Sequence, residues 1–165
     1  LVELGRCLPV NETMIDVFSG NNQLAFRFDD TIFTTRLIDG RFPNYASVLF
    51  TEQKTKLTMK RTQLIQALER AAIVGRIDNA PVLLKVQEGV LEIGTTSRLG
   101  KSQEQYNVQH DGPAEQAAYS PKFMLDMLKT MDADEVEFRF EGSRQALMKA
   151  ADNDSHLYIL MPIRI

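Results

Sequence analysis

Two short stretches decide the fold of this chain: Asp-Gly-Arg-Phe-Pro-Asn-Tyr at residues 39–45, and the last five residues, Met-Pro-Ile-Arg-Ile at 161–165. The first stretch follows a strand-like run, and its opening Asp-Gly pair is typical of a turn. Pro43 fixes its own φ and favours an extended conformation at the residue before it. The stretch is therefore predicted to be a rigid connector between two parts of the chain.

Beyond the connector, one order of elements occurs twice. Each copy is a predicted strand, a helix and three further strands, at about 55–112 and 114–165. The helices are predicted at residues 61–74 and 121–131, each with an apolar stripe at helical spacing. A unit this small can bury its helix stripe only by joining its sheet to another unit. The sequence therefore predicts an α+β fold of doubled β-α-β-β-β units, with two helices packed on antiparallel sheet.

Hydrophobic alternation and turn residues predict the other elements. A helix over residues 1–8 and three strands precede the connector, like a third copy without its opening strand. The pair Ser120-Pro121 is typical of a helix start, with the serine hydroxyl as N-cap and proline in the first turn. Single strands are predicted over residues 101–110 and over 157–165.

Composition excludes several classes of protein. The 165 residues are 44% apolar and 25% charged, as in ordinary globular chains rather than disordered ones. The sequence lacks a run of about 18 apolar residues, so we expect no membrane-spanning helix. Its single cysteine, Cys7, cannot form an internal disulfide, which fits a cytoplasmic location. A net charge of −3 argues against a protein that grips nucleic acid through its overall charge.

The sequence contains no recognisable catalytic or metal-binding pattern. His110 and His156 lie far apart and have no Cys, His or Asp neighbours at metal-ligand spacing. The acidic runs at 132–135 and 152–154 lack the length and the closing glutamate of a calcium loop. A glycine-rich phosphate loop and a nucleophile elbow are also missing. We therefore expect no enzyme activity, no metal and no cofactor.

The two signature stretches resemble one known family. An Asp-Gly-Arg-Phe-Pro-x-Tyr stretch, with an apolar-Met-Pro-apolar-Arg-apolar chain end about 120 residues later, is similar to the bacterial DNA sliding clamp, the beta subunit of DNA polymerase III. The resemblance covers the whole chain, which corresponds to the C-terminal part of such a protein. It implies the DNA-clamp fold, with residues 1–45 as the C-terminal half of the middle clamp domain and residues 46–165 as a complete C-terminal domain.

The resemblance also implies a function. Clamps are processivity factors that encircle and slide on double-stranded DNA without sequence preference, have no catalysis of their own, and form head-to-tail homodimeric rings. Subunit contacts are implied for Ile73 and Val74, so this chain by itself is expected not to close a ring. The basic residues implied to face DNA lie opposite the apolar helix stripes: Lys60, Arg61, Arg70, Lys122 and Lys129.

A hydrophobic peptide groove is the third implied feature. In clamps it binds short linear motifs of DNA polymerase, the clamp loader and repair proteins. Ser47 stands where some clamps have arginine, and Asn79 lies near a position that can be aromatic, so the peptide preference stays open. The residues implied in the groove are Pro43, Val48, Ser120, Phe123, Ser143, Gln145, Ile159, Leu160, Met161, Pro162, Ile163 and Arg164.

The residues alone leave two alternatives open. One is a protein-interaction module of the same fold without a DNA role, in which the polar helix faces are ordinary solvated surface and the C-terminal strand is core. The other is an enzyme whose site includes another domain, although no paired nucleophile and base are present.

Overall fold

The computed structural model describes residues 2–9, 14–42, 44, 53–154 and 156–164. Internal contacts divide the chain into two units, Leu1–Asn44 and Tyr45–Ile165, and each is described by itself. Within the described ranges, none of the helices combines the length and the apolar character needed to cross a membrane.

The first unit is a helix followed by three antiparallel strands, as the sequence predicts. The strands pair in the order β1-β2-β3. Leu4 of the helix and Phe28 of the second strand are its buried hydrophobic residues within the described part of the chain. The elements are α1 (Val2–Cys7), β1 (Asp16–Ser19), β2 (Gln23–Phe28) and β3 (Thr31–Arg36).

The connector begins with the predicted turn. Gly40 has a φ of 114°, a conformation that residues with a side chain rarely adopt. The connector residues Pro43 and Tyr45 lie outside the described residues.

The second unit contains both predicted copies of the β-α-β-β-β order. The first copy consists of β4 (Thr55–Lys60), α2 (Arg61–Gly75), β5 (Val82–Gln87), β6 (Val90–Ser97), β7 (Gly100–Asn107) and the short β8 (Gln109–Asp111). The second copy consists of β9 (Glu115–Tyr119), α3 (Pro121–Thr130), β10 (Glu135–Phe140), β11 (Ala146–Ala150) and β12 (Leu157–Leu160).

The two copies exchange their opening strands. One sheet has the order β12-β11-β10-β4-β8 and the other β7-β6-β5-β9, with antiparallel pairing throughout. Strand β4 of the first copy therefore pairs with β10 of the second, and β9 of the second copy pairs with β5 of the first. Each sheet contains strands from both copies, so the two copies form one domain.

A single hydrophobic core joins the two helices to both sheets. The rings of Phe138 and Phe140 on β10 stack with centroids 5.2 Å apart, and Tyr119 meets Phe138 edge-on. Burial of a side chain of this size contributes about 1.5–3 kcal/mol to folding. The helices place in this core Leu64, Ala67, Leu68 and Ala71 of α2, and Met124 and Leu128 of α3.

Two predicted details differ from the structure. Ser120 occupies the N-cap position of α3, but its hydroxyl makes no capping hydrogen bond, and the helix begins with Pro121 in its first turn. The strand predicted over 101–110 is divided at Val108, whose N–H donates to the carbonyl of Gly89. There the chain leaves the four-stranded sheet and continues as β8 in the five-stranded one.

Candidate functional site

The C-terminal segment, residues 161–164, crosses from one sheet to the other. Strand β12 ends at Leu160, because Pro162 has no N–H with which to continue the ladder. The N–H of Ile163 instead donates to the carbonyl of Ala118 on β9, with 2.7 Å between nitrogen and oxygen. The prediction of a strand to the chain end is therefore wrong, and the segment is fixed between the two sheets.

A groove of about 590 Å³ follows this segment, and we call it the C-terminal groove. It brings together five of the predicted peptide-binding residues, Ser143 and all four residues of the segment. Its other lining residues are not predicted by the sequence analysis. The full lining is Leu83, Gln116, Ala117, Ala118, Gly142, Ser143, Met161, Pro162, Ile163 and Arg164.

The apolar residues of β12 and the segment differ in exposure. Met161 is 67% exposed and Ile163 is 40% exposed, so both present apolar surface at the groove. Ile159 is exposed at the edge strand of its sheet. Leu160 points the other way and is only 5% exposed within the core. Strand alternation turns its side chain inward, so its role in peptide contact stays a prediction that this burial does not support.

The remaining predicted groove residues lie elsewhere or cannot be placed. Phe123 is 61% exposed on α3, outside the C-terminal groove, and Ser120 lines a separate cavity between the helices. The carbonyl of Gln145 accepts a hydrogen bond from the Gln53 side chain at 3.3 Å. Pro43 and Val48 fall outside the described residues.

Arg61, predicted to face DNA, is bound within the chain. Its Nε donates to the carbonyl of Ala133 at 2.6 Å and its Nη1 to the carbonyl of Leu128 at 3.1 Å. Leu128 lies in the last turn of α3, where carbonyls have no partner inside the helix. Arg61 therefore caps α3 and joins the two copies. Its contact with DNA stays a prediction.

Arg70, also predicted to face DNA, forms a closed cluster with Glu104 and Tyr106 on β7. Its Nε and Nη2 each lie 2.7 Å from a different carboxylate oxygen of Glu104, and Nη2 lies 2.9 Å from the Tyr106 hydroxyl. That hydroxyl donates to the same carboxylate. The hydrogen bond from Arg70 holds the pKa of Glu104 below its usual value. The guanidinium thus fastens α2 to the edge strand β7, and little of its charge is left for another partner.

The other predicted basic residues are more accessible. Lys122 has no ion pair within the described part of the chain, whereas Lys129 pairs with Glu69 at 2.9 Å. Both lysines border a cavity of about 450 Å³ between α2 and α3, together with Arg76, which the sequence analysis did not single out. Lys60 is exposed at the start of α2 and lines a different cavity.

The end of α2 lies beside an open sheet edge. Ile73 is 70% exposed, and Val74 is half-buried with its carbonyl bound to the Ser97 hydroxyl at 2.7 Å. Two further exposed apolar residues, Ile77 and Leu99, lie in adjoining turns that an Asp78–Arg98 ion pair holds together. Among the described strands β7 has no neighbour on its outer side. An apolar patch next to a free edge is typical of a surface that pairs with another chain.

No metal-binding arrangement is found among the described residues: they contain no group of three or more His, Cys, Asp or Glu placed to hold an ion. The His110 ring is held by backbone groups instead. The Gly89 N–H donates to its Nδ1 at 3.4 Å, and its Nε2 lies 3.2 Å from the carbonyl of Pro113.

Comparison with known proteins gives the family. The model described as "DNA polymerase III beta subunit, C-terminal domain" matches residues 46–164, and the model of the central domain matches residues 1–44. The chain belongs to the DNA polymerase III beta subunit family. The clamp fold and the sliding-clamp resemblance are thereby confirmed.

Individual clamps resemble the chain along nearly its whole length. The beta sliding clamp of Staphylococcus aureus is 29% identical over 168 residues, which cover 99% of this chain and 45% of that protein. The Bacillus subtilis clamp structure matches with a TM-score of 0.84 and 28% identity, over 99% of this chain and 44% of that one. A Pseudomonas aeruginosa clamp bound to griselimycin matches with a TM-score of 0.80 and 26% identity. The match covers 99% of this chain and 45% of that one.

The chain thus spans about 45% of the length of the curated clamps it matches. Of the residues implied by the clamp resemblance, the structure gathers Ser143 and residues 161–164 in the C-terminal groove. It gathers Lys122 and Lys129 at the cavity between α2 and α3. Leu160 lies in the core, and the half-buried Arg61 binds carbonyls of the same domain.

Proposed function

We propose that this chain is the C-terminal part of a bacterial sliding clamp, a non-catalytic processivity factor for replication in the cytoplasm. In this proposal residues 1–45 are the C-terminal half of the middle domain and residues 46–165 are a complete C-terminal domain. The spans matched by the two family models support that division. The observation that carries the functional proposal is the C-terminal groove, with exposed Met161 and Ile163 on a backbone fixed by a hydrogen bond to β9.

The groove suits a short apolar peptide motif. The Ile163–Ala118 hydrogen bond and Pro162 hold the segment rigid, so little backbone entropy is lost when a peptide binds. Met161 is unbranched and adapts to differently shaped side chains, which suits a groove that serves several partners. Arg164 at the end of the segment can form an ion pair with a carboxylate of the peptide. Polymerase, clamp-loader and repair proteins would dock here through such motifs.

The cavity between α2 and α3 suits the phosphate backbone of duplex DNA. Arg76, Lys122 and Lys129 line it beside Asp126, and Lys129 also pairs with Glu69 at 2.9 Å. With so few cations, binding is weak, independent of sequence and sensitive to salt, as sliding requires. Lys60 adds one cation at the start of α2, in a cavity that three carboxylates also line. Arg61 and Arg70 are not included in this DNA-facing set.

The patch around Ile73 suits contact with a second subunit. Ile73, Ile77 and Leu99 present apolar surface beside the unpaired edge of β7. A strand of another subunit could extend the four-stranded sheet there, which is the contact that a head-to-tail dimeric ring needs.

A fluorescence-polarisation titration tests the proposal. A labelled peptide of the glutamine-x-x-leucine-phenylalanine type is titrated with the chain, and a parallel titration uses labelled duplex DNA at several salt concentrations. We expect saturable peptide binding, and weak DNA binding that falls as salt rises. Peptide binding without any salt-dependent DNA binding would favour an interaction module of the same fold, and absence of both would reject the proposal.

A further inference from the structure

A second depression lies on the outward face of the four-stranded sheet. Its volume is about 410 Å³, and we call it the Gly94 pocket. Of its described lining residues, four are apolar or glycine and five carry polar side chains. The lining residues are Pro81, Leu83, Glu92, Gly94, Thr95, Thr96, Lys101, Gln103 and Ala118.

The pocket exists because β6 has a glycine at its centre. Gly94 lies on the outward face, opposite Leu83 of β5 and Gln103 of β7. A Cβ added to Gly94 would meet only the Ser102 carbonyl oxygen, at 3.4 Å, which is an ordinary contact. Glycine is normally unfavourable inside a strand, and here no close backbone approach requires it. The missing side chain thus leaves space rather than relieving a clash.

The Gly94 pocket continues the C-terminal groove. The two cavities share Leu83 and Ala118. The bridge and the strand register place Ile163, Ala118, Leu83 and Gly94 in one row across the sheet. Neighbouring strands are about 4.8 Å apart, so the three steps of this row span about 14 Å. An extended peptide covers that distance with about four residues.

The charges at the rim are mainly positive. Lys101 borders the pocket, Lys85 lies next to it on β5, and Arg164 lies at the groove end of the row. The one carboxylate in the lining, Glu92, accepts a hydrogen bond from Gln105 at 3.3 Å. Hydrogen bonds from glutamine side chains, first that of Gln103, lower the pKa of Glu92, and the two lysines add to this. Lys85 and Lys101 against the ionised Glu92 leave the rim with a net positive charge, which favours an anionic group beside an apolar one.

We propose that the Gly94 pocket is an accessory subsite for partner peptides, which takes an apolar side chain flanked by a carboxylate about four residues beyond the motif in the C-terminal groove. The proposal rests on the proposed function of that groove. It adds a selection among partners, because only motifs with a suitable neighbouring sequence gain the second contact.

The test uses extended peptides. The short motif peptide is compared with peptides carrying Gly-Ser-Leu-Asp at either end, and with controls carrying Gly-Ser-Gly-Ser. We expect one of the two Leu-Asp extensions to bind about five- to twentyfold more tightly than its Gly-Ser control. The gain comes from burial of one leucine side chain, reduced by the conformational entropy that this side chain loses.

Two variants locate the gain. Gly94→Val fills the pocket and should abolish the gain while the short peptide keeps its affinity, and Lys101→Glu should reduce the gain. Gln87→Val, on the same face but outside both cavities, should leave it unchanged. Thermal unfolding checks that Gly94→Val is at least as stable as the wild type.

The outcomes separate this inference from the proposed function. If the short peptide binds but neither extension gains affinity, or if the gain persists in Gly94→Val, the subsite is rejected and the groove stands. If the short peptide does not bind, the groove and the subsite are rejected together.

Discussion

Replacement of Arg61 tests whether this residue serves the fold or DNA. Its guanidinium makes two hydrogen bonds, to the carbonyls of Ala133 and Leu128. A hydrogen bond to a charged group contributes about 1.5–3 kcal/mol. Because the side chain is only half-buried, we expect Arg61→Ala to lower the free energy of unfolding by about 2–4 kcal/mol. The backbone bond from the Arg61 N–H to Asp134 remains, so the start of α2 should persist.

Arg61→Lys makes the test sharper. Lysine keeps the positive charge but cannot donate in the fork geometry of a guanidinium. We expect this variant to lose about half as much stability as Arg61→Ala, roughly 1–2 kcal/mol. A residue that only attracts phosphate would tolerate the same exchange with little effect on stability.

Denaturant unfolding followed by tyrosine fluorescence is the assay. All four tyrosines lie in the second unit and the chain has no tryptophan, so the signal reports that unit alone. Lys122→Ala is the matched control, with an expected change within about 0.5 kcal/mol. The reasoning would be refuted if both Arg61 variants were as stable as this control and the salt dependence of DNA binding fell instead.

Two further predictions concern backbone geometry and pH. A Cβ on Gly112 would overlap the carbonyl oxygen of Lys54 at a φ of 101°, whereas Gly100 has a φ of 140° and open space. Gly112→Ala should therefore lower the free energy of unfolding, measured with denaturant, by more than about 3 kcal/mol, and Gly100→Ala by about 1 kcal/mol. Equal losses in the two variants would contradict the geometry. The pKa of Glu104 is lower in the folded chain than its unfolded value of about 4.3. The Glu104 carboxylate therefore stabilises the fold fully above the unfolded pKa, and this stabilisation is lost as the pH falls through the folded pKa. Glu104→Gln should thus lose less stability between pH 7 and pH 3 than the wild type, and parallel pH profiles would rule out this role of the ion pair.

The sequence predicts the doubled order of elements because local patterns carry it. The apolar stripes of α2 and α3 and the alternation of β10 depend on residues within one element. The exchange of β4 and β9 between sheets is not predictable in this way. It depends on pairing between residues far apart, such as Lys60 and Glu135, and nothing in either strand alone selects that partner.

The basic residues show what helical spacing cannot predict, namely the partners of long side chains. Arg61 precedes the apolar stripe and looks solvent-facing by spacing, but its partners are carbonyls about 70 residues away in the chain. Arg70 likewise finds Glu104 on β7. A long guanidinium side chain reaches carbonyls and carboxylates that periodicity cannot reveal. Lys122, near the start of α3, has no such partner among the described residues, and its exposed position was predictable.

The C-terminal groove was predictable only in part. Methionine and proline near the chain end indicate an apolar segment interrupted at Pro162. The wall formed by Leu83 and Ala118 comes from the other sheet, and it becomes visible only when the Ile163–Ala118 bridge is known. The family resemblance places Leu160 in the groove, whereas strand alternation turns its side chain into the core.

The most direct test of the central claim, that the segment at residues 161–164 binds partner peptides, is the affinity of Met161→Ala for the labelled motif peptide. Met14→Ala is the matched control, since Met14 is equally a methionine, is 91% exposed and lies in the other unit. Loss of the Met161 contact should remove about 1–2 kcal/mol, which is a five- to thirtyfold rise in Kd. We predict this rise for Met161→Ala and an unchanged Kd for Met14→Ala. Equal affinities for the wild type and Met161→Ala would contradict the claim.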